Sequence, residues 1–278
     1  MIAQVIGAIV RAVLVVLLIA TPSLLLSGVS ADATQIVALV AIFAAALTIF
    51  EYSATYPGLV EFRDAPPFNR IRFGAMFITV FLLTIITRGQ SEPSATALFI
   101  QTVGAILGEA VDFPYSPVRL VVLMLSDQTT MQQVVLVRTA AGMSYFISLL
   151  SLAVFAVHIR VNHWPVRNGS FNVWVNLPTF DPTAGGDVVE RLARDARLNV
   201  ALGFLLPFLI PAMVRAATVV FEPVTLNNPQ TLIWTVTAWA LLPASLFMRG
   251  IAIGRIADMI REQRRRAAPE HESELLPA

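Results

Sequence analysis

The sequence predicts an all-α polytopic membrane protein with six transmembrane helices, and three observations carry that prediction. Of its 278 residues 56% are hydrophobic and only 13% are charged, against about 25% charged in a soluble domain. The apolar residues are gathered into blocks of bilayer length instead of being spread along the chain. The few charges fall almost wholly between blocks, and mostly in alternate loops. A soluble enzyme, a disordered chain and a disulfide scaffold are all excluded by this composition.

The first block, 5–26, is interrupted only by Arg11, which is near enough to the start to snorkel to the interface. The run after Arg11 resembles a signal-peptide core, with Val29, Ser30 and Ala31 as a cleavage site. No basic residue precedes Arg11, however, and five more blocks follow, so a retained first helix is expected. The second block, 33–50, ends at Glu51, and the third, 71–87, is flanked by Arg72 and Arg88. The fourth, 139–157, lies between Arg138 and His158. The fifth starts at Asn199 and contains Arg215, and the sixth runs to Met248 before Arg249.

Between the third and fourth blocks, 95–125 does not read as a pair of full crossings. Its first half carries Gln101 and Glu109, its second half is too short, and Pro114 and Pro117 break the chain between them. A re-entrant or interfacial helical pair on the periplasmic side is expected, with Gly104 and Gly108 forming a GxxxG packing face.

Orientation follows from the basic residues. The chain has no Lys, and all 19 basic residues are Arg, a skew that fits a GC-rich bacterial genome. With six spans and the amino terminus in the cytoplasm, 14 arginines fall inside, three outside and two within spans. The expected location is therefore a bacterial inner membrane, with both termini cytoplasmic. Residues 1–157 hold the first four spans, 158–198 form a small cytoplasmic loop domain, 199–248 a membrane hairpin, and 249–278 an amphipathic helix with a disordered acidic tail from Pro269. Arg264, Arg265 and Arg266 would meet anionic lipid at the cytoplasmic face.

In the loop domain, Asn168-Gly169 between β-rich runs predicts a β-hairpin, with Trp164, Val166, Phe171 and Val173 on one face. Asp187 with Glu190 then opens an amphipathic helix that continues into the fifth span. In the first cytoplasmic loop, 51–73, Tyr56, Phe62, Arg63, Phe68 and Arg70 form an aromatic-plus-Arg set, as do Trp164 and Trp174 in the second loop. Such residues serve as interfacial anchors, or as a partner-docking surface, because aromatics and Arg dominate interface hot spots.

Little in the sequence points to catalysis. There is no Cys, no phosphate-binding glycine loop and no HExxH, and no span carries His or a pair of Asp. No catalytic, cofactor or metal residues are assigned, nothing suggests nucleic-acid binding at a net charge of +1, and a non-enzymatic role is expected. The polar candidates within or beside the membrane are Arg11, Glu109, Arg215 and, at an edge, Glu51; Arg215 is expected to snorkel or to pair with Glu222 two helical turns on. Pro207, Pro211 and Pro243 are expected to kink the last two spans at similar depth. Small-residue faces at Ala44 to Ala46, at Gly142, Ser144, Ser148 and Ser151, and at Gly250 and Gly254 suit helix packing.

The reading that follows is a scaffold, accessory or assembly component of a membrane complex, with a membrane-protein partner or a homo-oligomer. Its alternative is a small secondary transporter or channel sited near the kinked spans. The topology is testable: a reporter active only in the cytoplasm, fused after Ala278, is expected to be active, and a silent reporter with normal expression contradicts the orientation.

Overall fold

The computed structural model describes residues 2–162, 164–165, 171–181, 183, 185–218 and 225–274, with side chains from 4 to 266 of these. Nine helices occur among them and no strand: α1 Ile2–Leu25, α2 Ala31–Ser53, α3 Phe68–Arg88, α4 Ala95–Val111, α5 Pro117–Leu123, α6 Met131–Asn162, α7 Val173–Asn176, α8 Val188–Ala217 and α9 Pro229–Glu274. Six of these, α1, α2, α3, α6, α8 and α9, are long and apolar enough to cross a bilayer. The protein is thus a multi-pass, all-helical membrane protein.

Helix length decides what lies outside the hydrocarbon. At 1.5 Å per residue, α1, α2 and α3 span about 30–36 Å, close to the hydrocarbon thickness of roughly 30 Å. With 32, 30 and 46 residues, α6, α8 and α9 overshoot it by about 15–40 Å. All three overshoot at the same end, because the short polar connections 89–94, 124–130 and 225–228 gather at the other. At that other end Gln132 bonds Gln90 and Gln133 bonds the Leu226 carbonyl.

Helix starts follow the sequence chemistry. Ser30, Ser94 and Ser116 accept the N–H groups of Ala33, Ala97 and Arg119, with Pro117 at the first position of α5. Asp187 accepts the Val189 N–H to open α8, which runs without interruption into the fifth span, as the sequence suggested. Hydrogen bonding from Arg264 first, and then from the Val189 N–H, holds the Asp187 carboxyl below the usual carboxylate range.

The bundle core is built on α3, α6 and α9, with Val80, Leu83, Val137, Ala140, Ile233 and Val236 all buried. Backbones approach closely where side chains vanish. A Cβ on Gly142 would overlap the backbone of Gly108, which fixes the crossing of α4 over α6. On α8, Gly203 abuts the Pro243 carbonyl and Phe247, while Gly250 of α9 abuts Ala196 and Val200. The hydroxyls of Ser144, Ser148 and Ser151 bond carbonyls of their own helix, so this small-residue face is used internally.

Helix α4, with 17 residues, is about 25 Å long and α5, with 7, about 10 Å. Both are too short to cross and pack against α6. Three expectations need correction. The predicted hairpin is not formed by the described part of its arms: α6 holds helix through Asn162, and 173–176 close a helical turn capped by Asn172. The turn itself, including Val166 and Asn168-Gly169, lies outside the described residues. An apolar run of alternating residues fits a helix end as well as a strand, and here the Asn172 cap decides. Helix α9 also continues past Pro269 to Glu274, so the tail expected to be disordered from that proline is helical that far. Lastly, among the described residues the second loop has no core of its own: Trp164, Leu177, Val189 and Leu192 share one with Phe62, Phe68, Met248 and Ile256.

Gly142→Val is expected to destabilise the protein by about 1–3 kcal/mol through overpacking against Gly108. Thermal unfolding in detergent would register this as a lowered midpoint at unchanged helix content, and an unshifted midpoint would contradict the close crossing.

Candidate functional site

The overshooting ends of α6, α8 and α9, together with the loop 54–67, form a platform at one end of the bundle. Its first element is a helix end that carries the wrong charge. Glu51 lies in the last turn of α2, where the helix dipole disfavours a carboxylate, and it is only 3% exposed. Three consecutive N–H groups compensate: Gly58 (3.0 Å), Leu59 (2.9 Å) and Val60 (3.0 Å) all donate to Oε2. Successive backbone donors make an anion nest, and here the anion is the chain's own. Arg63 completes the cap, its Nη1 donating to the carbonyls of Glu51 (3.1 Å) and Ala54 (2.6 Å). Those are carbonyls that a helix end leaves without partners.

The loop then turns inward. Phe62 has φ of 52°, in the left-handed region where a bulky side chain is strained by about 1–3 kcal/mol. Its N–H donates to the Asn176 carbonyl at 2.7 Å, and the Asn176 side chain accepts the Asp64 N–H at 3.0 Å. Its ring lies 4.4 Å from Phe68 and 5.7 Å from Trp164, centroid to centroid. Burial of such a ring is worth about 1.5–3 kcal/mol, enough to offset the strain. The Trp164 indole N–H reaches the Ala65 carbonyl at 3.2 Å.

Beneath this aromatic cluster lies an ion cluster. Arg249 of α9 grips Glu61 with two prongs, Nε to Oε2 at 2.7 Å and Nη2 to Oε1 at 3.0 Å. Its Nη1 reaches both oxygens of Asp195 on α8, at 3.1 and 3.2 Å. The remaining capacity is filled as well: Thr179 donates to Glu61 at 2.8 Å, and Asn199 donates to Asp195 at 2.7 Å. Arg249 and Glu61 are largely buried, with side chains 21% and 13% exposed. The arrangement joins the first loop, the second loop, α8 and α9 through one guanidinium.

The docking set expected from sequence is therefore divided. Phe62, Phe68 and Trp164 are buried in the platform core, and Arg63 is spent on the α2 cap. Tyr56, Arg70 and Trp174 are exposed. The reason is that the aromatics of two loops found each other, a pairing that neither loop reveals alone.

The membrane candidates are also placed. Arg11 bonds the Gly7 carbonyl at 2.7 Å and lies 4.6 Å over the Tyr52 ring. Glu109 is exposed and pairs with Arg138 at 3.4 Å; Arg138 also faces Asp112 at 3.8 Å, and Asp112 faces Arg119 at 2.8 Å. The partner found for Arg215 is Asp127, at 3.9 Å; Glu222 lies outside the described residues. Pro207, Pro211 and Pro243 stand within unbroken helices. Pro211 cannot bond the Pro207 carbonyl, and the Trp239 indole of α9 does so instead, at 3.0 Å. Sequence reasoning missed Glu61, Asp195, Asn176 and the role of Arg249, whose partners are up to 188 positions away. No group of three or more His, Asp or Glu able to hold a metal ion occurs among the described residues.

No family model, no curated protein and no solved structure matches this chain.

Arg249→Ala is expected to cost about 1.5–3 kcal/mol, because it strands two carboxylates that are partly buried and keep only Thr179 and Asn199 as donors. Arg249→Lys is expected to recover only part of this, since an ammonium cannot make the two-pronged contact. Thermal midpoints and protease cleavage within 54–67 would report both. An alanine variant as stable and resistant as the parent contradicts the role given to Arg249.

Proposed function

We propose that the chain is a non-enzymatic scaffold or assembly component of a bacterial inner-membrane complex, presenting its platform to a partner protein on the cytoplasmic side. The observation that carries this reading is that Tyr56 and Trp174 stand 69% and 55% exposed on backbone that is itself pinned. Tyr56 follows the α2 end capped by Arg63. Trp174 lies on α7, whose Asn176 is bonded to Phe62 and Asp64. Rigid aromatic side chains on ordered backbone bind with little further ordering cost, which favours them as anchors for a protein surface. Arg70 beside the same loop adds a charged contact.

The cytoplasmic assignment is supported by the arginines. Arg63, Arg70, Arg72, Arg160, Arg191, Arg194, Arg197, Arg249 and Arg255 all belong to the platform end or to the helices leading into it. The transporter alternative gains less support. Broken helices would need to leave backbone groups open to a substrate, whereas the freed Pro207 carbonyl is taken by Trp239 and Gly203 packs tightly on Pro243.

Photo-crosslinking residues placed at position 56 or 174 in native membranes test the proposal. The expected result is one discrete adduct with another membrane protein, together with stoichiometric co-purification after gentle solubilisation. Adducts with lipid alone at both positions, in protein that purifies without a partner, would overturn the scaffold reading.

A further inference from the structure

At the end of the bundle opposite the platform, the short α5, the turn after it and the last turns of α8 border an open groove of about 610 Å³. Its lining is mixed: Leu120, Leu123, Pro211 and Ala212 are apolar, whereas Asp127 and Arg215 bring one charge of each sign. Arg215 is in the last turn of α8, where the span gives way to headgroups. Its guanidinium lies 3.9 Å from Asp127, beyond hydrogen-bonding distance, with side chains 50% and 94% exposed. An exposed pair at that separation contributes little by itself, so both charges can accept better partners.

A groove of this kind sets one cation and one anion side by side among apolar walls. The complementary molecule is a lipid whose headgroup carries both an anion and a hydrogen-bonding cation. We propose that the groove binds one phospholipid of the phosphatidylethanolamine type. The phosphate sits on Arg215, the primary ammonium on Asp127, and an acyl chain against the apolar wall formed by Leu120, Leu123 and Ala212. Charge complementarity selects this headgroup over its relatives. A choline headgroup has no N–H to donate to a carboxylate, and a phosphoglycerol headgroup brings net negative charge towards Asp127 without a compensating cation. This site is independent of the platform and of the scaffold reading.

The test uses the full chain in mild detergent, titrated with an equimolar mixture of phosphatidylethanolamine, phosphatidylcholine and phosphatidylglycerol and read by native mass spectrometry. The first lipid retained is expected to be phosphatidylethanolamine, favoured over phosphatidylcholine by about tenfold, the scale of one charge-assisted hydrogen bond. Asp127→Ala, which leaves no acceptor for the ammonium, should bring the two to equal retention while preserving binding. Arg215→Gln should weaken both together, and Ala212→Trp should block retention with the charges intact. Both polar side chains are substantially exposed, so their variants should keep the parental thermal midpoint, and they decide the matter alone if the tryptophan variant misfolds. Equal retention of all three lipids by the parent, a preference for phosphatidylglycerol, or a preference that survives Asp127→Ala would each overturn the proposal.

Discussion

Arg249 lies about 20 residues along α9 from Pro229, roughly 30 Å, which is the thickness of the hydrocarbon. It therefore stands where the bundle leaves the membrane, and the platform is assembled around it. A single charge at that boundary would be costly, yet it could still reach water. Instead Arg249 is matched by Glu61 and Asp195, and their other oxygens are matched by Thr179 and Asn199. A buried ion pair is a weak source of net stability, because desolvation offsets most of the attraction. What it supplies is registry. The planar fork accepts one arrangement of two carboxylates, so the first loop, α8 and α9 are held at one relative height.

The partnership of α8 and α9 shows how that registry extends into the membrane. Without a hydrophobic drive between helices in lipid, close packing must come from small residues and matched polar groups. Gly203 and Gly250 remove side chains at two levels of the contact, and the Trp239 indole supplies the donor that Pro211 withholds from the Pro207 carbonyl. The prolines thus add a specific cross-helix bond where a regular helix would have been self-satisfied. Three levels of contact, at Arg249 with Asp195, at Gly203 with Pro243 and at Trp239 with Pro207, fix the sliding of one helix on the other.

The spans were legible because hydropathy blocks and helix ends are local properties. Every one of the six blocks became a helix, and Asp187 caps α8 where the sequence placed it. Helix ends were less legible: α6 runs past both ends of its apolar block, burying Phe155 and Ile159 in the platform, and α9 runs past the proline where its amphipathic part was expected to stop. The platform itself was hidden. Arg249 reads as a flanking charge, Glu61 as a loop acid and Asp195 as a helix-surface acid, and nothing within a window of either loop says that they converge. The same applies to Phe62, Phe68 and Trp164, whose aromatic character suggested a surface when each loop was read alone. Arg63 carried no local signal either, since the carbonyls it satisfies belong to the end of the preceding helix.

The least buried helix shows why the platform matters to the whole bundle. Only 6% of the apolar window of α2 is buried, against 56% for α9, and among the helices α2 touches α1 alone. Lipid solvates its exposed Leu39, Phe43 and Phe50, and its packing along α1 leaves the tie to the rest of the bundle to polar groups. What fixes its orientation are polar contacts at the platform end. Gln4 reaches the Tyr52 carbonyl, Arg11 lies over the Tyr52 ring, and Glu51 is enclosed by the 58–60 amides with Arg63 on the final carbonyls. The same loop continues to Phe62 and Glu61, and through them to Asn176, Asp195 and Arg249. An otherwise loosely attached helix is thereby tied to the core by a path of hydrogen bonds outside the hydrocarbon, where each link is a polar contact that lipid cannot replace.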